Sequence, residues 1–452
     1  MQDTTFITFW DYFLTPIYIS IIIVFARYIR DQQYPVGHPW RPYFIPGLAS
    51  KIVGAILIGM LYQYYYGGGD TSNYFEHAQT INSSFSDSPV KWFNLILRIP
   101  PWYDGEYSPY VSKMIWYESP SEYTVASIAA FIGVFTLTTY LPISIILGSL
   151  AFTGSWAMFR TFASQYPHLV RPIALCVLFI PSTIMWGSGL FKDTICMFGL
   201  GWMTYGAFRM LLLRDFSIKN IFLTLISFIL IAKIKVYILL AFLPAVALWI
   251  LFTYAYYIPT AAARVLVKLL VTAGCFFGFM FFSQKYAEEL GRYSLDKIAK
   301  TSYITSTYIS SVSGDDGSAY DLGELDPSIN GMLRKFPLAV NVTLFRPYIW
   351  ETRKPIQMLN ALEASLFLWV TIKLFITIGF LRIWSAISED TTIQFCLIFA
   401  IIFAFAIGLS SGNFGTLSRY RIPCLPFYGL SLVLIYYKYK PIDNNILAFN
   451  FR

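Results

Sequence analysis

Long apolar stretches recur from one end of this chain to the other, each close to the length that a hydrocarbon layer demands. Inside lipid every backbone N–H and C=O must bond within its own segment, so a crossing helix needs roughly 20 mostly apolar residues. The chain supplies about eleven such windows, at residues 9–26, 44–64, 142–159, 172–187, 194–213, 219–233, 236–257, 262–283, 358–381, 391–410 and 422–437. Charged residues fill 13% of its 452 positions, about half the share in an ordinary soluble domain. The expected fold is therefore all-α, a polytopic transmembrane bundle, with 1–452 read as one integral membrane domain. No internal repeat of the kind that builds two-half transporters is visible.

The start, "MQDTTFITFWDY", lacks the basic opening and small-residue cleavage site of a signal peptide. A formal net charge of +8 suggests nucleic acid until the basic residues are placed. Most flank the apolar runs, as orientation in a membrane requires, and no nucleic-acid partner is expected. Putting Arg27, Arg30, Arg41, Arg160, Arg171, Arg209, Arg214, Lys219, Arg264, Lys268, Lys438 and Lys440 on the cytoplasmic side leaves two hydrophilic insertions, 66–122 and 284–356, outside. The apolar segment 124–142 would invert that order if it crossed, so it is expected to be a re-entrant or interfacial helix. The five cysteines and three histidines show no metal-ligand spacing.

The unusual charges then gather on one side. "GGGDTSNYF" sets Asp70 after a glycine turn, where it could be a helix N-cap or a catalytic carboxylate. Asn73 with Glu76 could complete a capping box there. In "FIPSTIMWGSGLFKDTI" Lys192 has no obvious carboxylate nearby, whereas Asp193 could cap the helix that follows. Lys233 and Lys235 interrupt an otherwise continuous apolar run, either snorkelling to an interface or holding an anion at a helix break. In "SRYRIPCLPF", Pro423 biases Ile422 away from helix, which predicts extended backbone with Arg419 and Arg421 projecting to one side. Paired guanidinium groups suit phosphate oxygens or lipid headgroups. Arg346 and Glu351 close the second insertion. Glu363 shares a helix face with Asn360 and could serve a site or pair with a neighbouring Arg or Lys. No Walker loop, dinucleotide fingerprint or HExxH is present.

With these motifs the chain resembles the GT-C superfamily of polytopic glycosyltransferases, and more closely bacterial envelope-polysaccharide proteins of that type. The resemblance implies an active site on the extracytoplasmic side of the bacterial inner membrane. Its substrates would be a polyprenyl-phosphate-linked sugar and a glycan or lipid acceptor, among membrane lipids. It implies Asp70 as general base and Lys192, Arg419 and Arg421 as phosphate ligands. Lys233, Lys235 and Arg346 stand in reserve, and Asp193, Glu351 and Glu363 support them. No cofactor is expected. The sequence lacks a paired acidic motif beside Asp70, which leaves a divalent metal unsupported. The rival readings are a repeat-unit polymerase using a polyprenyl-pyrophosphate oligosaccharide, and a non-enzymatic lipid-linked-glycan transporter or assembly scaffold.

Overall fold

In a computed structural model the chain is helical, with no β-strand among the described residues. Those are residues 5–255, 257–285, 303–304, 307–308, 320, 322, 328–352 and 355–440. The chain divides into two compact units, Met1–Leu239 and Leu240–Arg452.

Among the described residues seven helices are long and apolar enough to cross a membrane. In the first unit these are α1 (Phe9–Gln33), α2 (Arg41–Leu61, prolonged by a π turn at Tyr62–Tyr66), α7 (Tyr140–Gln165) and α10 (Lys192–Gly206, likewise prolonged). A fifth, α11 (Ile218–Ala255), contains the boundary between the units. Before α7 come α3 (Asp70–Ser83), α4 (Pro89–Ile96), α5 (Ser108–Val111) and α6 (Pro120–Phe135). Between α7 and α10 lie α8 (Val170–Leu178) and α9 (Pro181–Trp186).

The run 172–187, expected as one span, is thus broken. Pro181 offers no N–H to a helical ladder and pushes Ile180 to φ −68°, ψ 123°. The ladder stops, and Pro181 starts α9 at the position proline favours. The segment expected at 124–142 is instead α6, whose 16 residues span only about 24 Å. It ends in a turn where Leu137 and Thr138 take φ 51° and 49°, and α7 begins at Tyr140.

Unit 1 is held by small residues that let helix backbones touch. A Cβ on Gly201 of α10 would overlap the Gly154 carbonyl of α7, and one on Gly54 of α2 would overlap the Ile184 carbonyl of α9. At Gly148 of α7 a Cβ would lie 3.1 Å from the Lys51 carbonyl of α2. These contacts fix α2, α7, α9 and α10 against one another.

Unit 2 contains α12 (Ala261–Lys285), α13 (Ile329–Arg334), α14 (Phe336–Phe345), α15 (Pro355–Ile378), α16 (Phe380–Glu389), α17 (Thr391–Ser411), α18 (Phe414–Tyr420) and α19 (Leu425–Tyr439). Of these α15 and α17 complete the seven candidate spans. Its core is aromatic: Trp249 stacks on Phe395 at 4.4 Å, and Phe399 meets Phe427 at 4.6 Å. Gly408 lets α17 close on α14, where Thr343 Oγ1 donates to the Ala404 carbonyl at 2.7 Å. Most of the insertion at 284–356 lies outside the described residues, including "KYAEELGRYSLDKIAK" beyond its first residue and nearly all of "TSTYISSVSGDDGSAY".

Candidate functional site

The turn before Asp70 uses three successive positive φ values, 68°, 122° and 139° at Gly67, Gly68 and Gly69. Side chains rarely tolerate such a run, so glycine is required. The helix it launches is not capped by Asp70. Gly69 is the N-cap, and Ser72 Oγ accepts from its amide at 3.0 Å. Asp70 is the first helical residue, half-buried, in the turn where a carboxylate favours the helix dipole. The box expected from Asn73 and Glu76 is replaced by Ser72.

One aromatic residue links this turn to the next motif. A Cβ on Gly69 would meet the Tyr62 ring at 2.9 Å, and Tyr62 packs against Phe191 at 5.3 Å between centroids. Phe191 is the N-cap of α10, so Lys192 and Asp193 are its first two residues. Asp193 is therefore not the cap expected above.

Lys192 does have a carboxylate, from a distant part of the sequence. Its Nζ pairs with Glu122 in the first turn of α6 and donates to Ser121 Oγ at 3.0 Å. Burial raises the Glu122 pKa, but hydrogen bonds from Lys192, Ser119 and Ser121 outweigh it and hold the carboxyl down at about 2. Glu122 is ionised at every physiological pH.

Asp193 is buried and pairs with Lys235 at 2.5 Å. The backbone of α11 leaves the helical region at Lys235, with φ −145° and ψ 72°. Of the two readings left open for these lysines, a helix break is present at Lys235. Only Lys235 turns inward; Lys233 is exposed. The side chains at the head of α10 thus alternate as Glu122, Lys192, Asp193 and Lys235, two carboxylates against two ammonium groups.

Sequence reasoning passed over two residues here. Glu122 sits three residues from Ser119 at the start of an apolar helix, the signal of an acidic first turn. Lys51 lies inside a span, where any ionisable residue marks a site to inspect. It is buried, and its Nζ donates to the carbonyls of Thr183 at 2.8 Å and Gly187 at 3.0 Å. Gly187 is the C-cap of α9, and the Thr183 carbonyl also accepts its amide at 3.1 Å, so Lys51 bonds around the helix end. Lys51 thereby anchors the loop leading to Lys192.

Unit 2 holds the other candidates. The extended backbone expected at Arg419 to Ile422 is absent. Asn413 caps α18 through Gly415 and Thr416, and the Arg421 amide continues the ladder to Leu417 at 3.0 Å. Pro423 ends the helix only after that turn. Residues two apart on a helix are about 200° apart around its axis, so Arg419 and Arg421 do not share a side.

Arg421 is completely buried. Its guanidinium donates to the carbonyls of Arg346 at 2.8 Å, Thr343 at 3.3 Å and Asn360 at 3.4 Å, and to Glu363 at 3.4 Å. Glu363 on α15 has thereby found its arginine. Arg346 pairs with Glu351, and its guanidinium lies 5.3 Å from the Phe414 ring. Arg419 is half-buried on α18.

Among the described residues no cluster of His, Cys, Asp and Glu has metal-binding geometry. No protein family matches the chain, and no curated protein or solved structure is significantly similar to it.

Proposed function

We propose that this chain is an integral membrane glycosyltransferase of GT-C type. It would take sugar from a polyprenyl-phosphate donor and transfer it to an envelope glycan or lipid on the extracytoplasmic face of a bacterial inner membrane. In this reading the bundle crosses about eleven times, α6 is the re-entrant or interfacial element, and 66–122 and 284–356 are outer insertions. The observation that carries the proposal is the Gly69–Tyr62–Phe191 packing, which ties the Asp70 turn to the head of α10. A carboxylate suited to base catalysis and a lysine suited to phosphate are thereby held by one aromatic connection.

The chemistry would be inverting. Asp70 accepts the proton of an acceptor hydroxyl while that oxygen bonds to the anomeric carbon. The bond from the anomeric carbon to phosphate oxygen breaks, and the phosphate leaves as an anion without an acid. Lys192 stabilises its growing charge, a preorganised electrostatic contribution. It does so by exchanging Glu122 for phosphate oxygen, with Lys235 and Asp193 holding the head of α10 in place. Arg346 and Arg419 remain candidate phosphate ligands of unit 2.

The test is transfer of radiolabelled sugar from a polyprenyl-phosphate donor by purified protein. Asp70→Asn keeps size and removes basicity, and should cost about 10²–10⁴ in rate with donor binding and melting temperature unchanged. Wild-type turnover in the folded variant ends the assignment of Asp70. A wild-type protein that moves lipid-linked glycan across vesicles without transferring it supports the transporter reading instead.

A further inference from the structure

A cleft of about 280 Å³ opens in the loop after α4, walled by Arg98, Pro100, Pro101, Trp102, Tyr117 and Glu118. Its size falls just under the ~300–1,000 Å³ typical of small-molecule sites. Neither Asp70 nor the charges at the head of α10 line it.

Its walls are set rather than loose. Tyr117 is buried and its hydroxyl donates to the Pro100 carbonyl, while the adjoining Pro101 is rigid by its own ring. Arg98 closes the end of α4 with φ 56°, where glycine is the ordinary choice and other side chains are strained. Its guanidinium lies 5.7 Å from the Tyr117 ring and 5.9 Å from the Tyr123 ring, and makes no ion pair among the described residues. Packing against rings orients the guanidinium while leaving N–H groups for another acceptor. Glu118, also in the cleft wall, is exposed, and Trp102 is 60% exposed.

We infer that this cleft binds a pyranose ring of a glycan chain. A sugar ring presents an apolar C–H face and a polar hydroxyl rim, which match the Trp102 ring and the Arg98 and Glu118 side chains in turn. The competing occupant is the lipid interface, where exposed tryptophan is also common. Charge argues against it: residues 98–118 carry Asp104, Glu106 and Glu118 against Arg98 and Lys113. An anionic lipid surface calls for a basic excess.

That the sugar belongs to the acceptor rests on the glycosyl-transfer reading; binding itself does not. The experiment is saturation-transfer difference NMR on the purified full chain with maltotriose, chitotriose and mannotriose. Saturation should reach ring protons of at least one, and fall at least fivefold in Trp102→Ala and in Arg98→Ala. Absence of transfer from all three, or signals unchanged in both variants, overturns the proposal. In nanodiscs with brominated lipid, wild type and Trp102→Phe should be quenched equally. A quenching component lost with Trp102 places the ring in lipid and also overturns it. Sugar binding in a chain without any transferase activity would sink the catalytic reading and leave the cleft standing.

Discussion

The ion pairs at the head of α10 and the arginine after α18 put basic side chains among polar partners in opposite ways. Lys192 pairs with the Glu122 carboxylate, and both partners keep some exposure, 14% and 23% of their side chains. Arg421 has no exposure and is held by three backbone carbonyls besides Glu363. A carboxylate side chain can rotate away and yield its cation to a substrate. Carbonyls of α14, α15 and the Arg346 turn cannot leave without unmaking the fold. Accessible partners make a cation exchangeable; backbone partners make it structural.

The strongest challenge to this contrast is Arg421→Ala. It should destabilise unit 2 by about 3–5 kcal/mol, since the Glu363 ion pair is broken and buried carbonyls lose their guanidinium donor. Arg421→Lys should recover only part, because an ammonium cannot reproduce the planar fork. Thermal melting in detergent reads both. A protein that melts like wild type yet fails to bind donor would make the two cations alike.

A pH titration separates unit 1 further. His77 is buried, accepts the Trp116 amide at Nε2 at 3.1 Å, and is pushed by burial down to about 4 from 6.5. The unfolded chain binds the extra proton first, so stability is intact above pH 6.5 and falls as pH drops towards 4. The loss should approach 2–3 kcal/mol, and His77→Gln, which keeps an acceptor, should flatten that slope. Glu122 behaves otherwise. Its folded pKa lies below its unfolded value of 4.5, so the pair's contribution persists above 4.5 and disappears only as pH falls towards 2. A slope between pH 6.5 and 5 that survives in His77→Gln would show that another group titrates there.

The smallest expected effect on stability is the most informative about exchange. Glu122→Gln should cost about 1 kcal/mol or less, as part-exposed pairs do. It should also lower the apparent KM for a polyprenyl-phosphate donor, because Lys192 no longer has to release an anion. A raised KM would make Glu122 an orienting partner of Lys192 rather than a stand-in for phosphate.

The apolar runs made the helices legible, and two lysines in one run marked where α11 breaks, although snorkelling stood as the alternative. What escaped the sequence were consequences of contacts between distant segments. Nothing local to Lys192 names Glu122, 70 residues earlier. Pro423 did bias the chain against helix, but Asn413 upstream caps one that runs to Tyr420, with Arg421 as its C-cap. The run 172–187 looked continuous by hydropathy, yet Pro181 divides it, and Lys51 of another helix donates to the Thr183 and Gly187 carbonyls of its second piece. Hydropathy reports where a segment can lie; it does not report which of its polar groups another segment will complete.

The contact between Gly154 and Gly201 has a mechanical side. Side chains between helices act as compliant spacers, changing rotamer so that one cylinder can roll past its neighbour. Here the backbones touch, and at this point no side chain stands between them to absorb such motion. Rolling α10 at this point would carry α7 with it, which ties Lys192 and Asp193 to the pair of helices. Any adjustment to an incoming molecule must come from the partners that face them, the side chain of Glu122 and the broken α11 at Lys235.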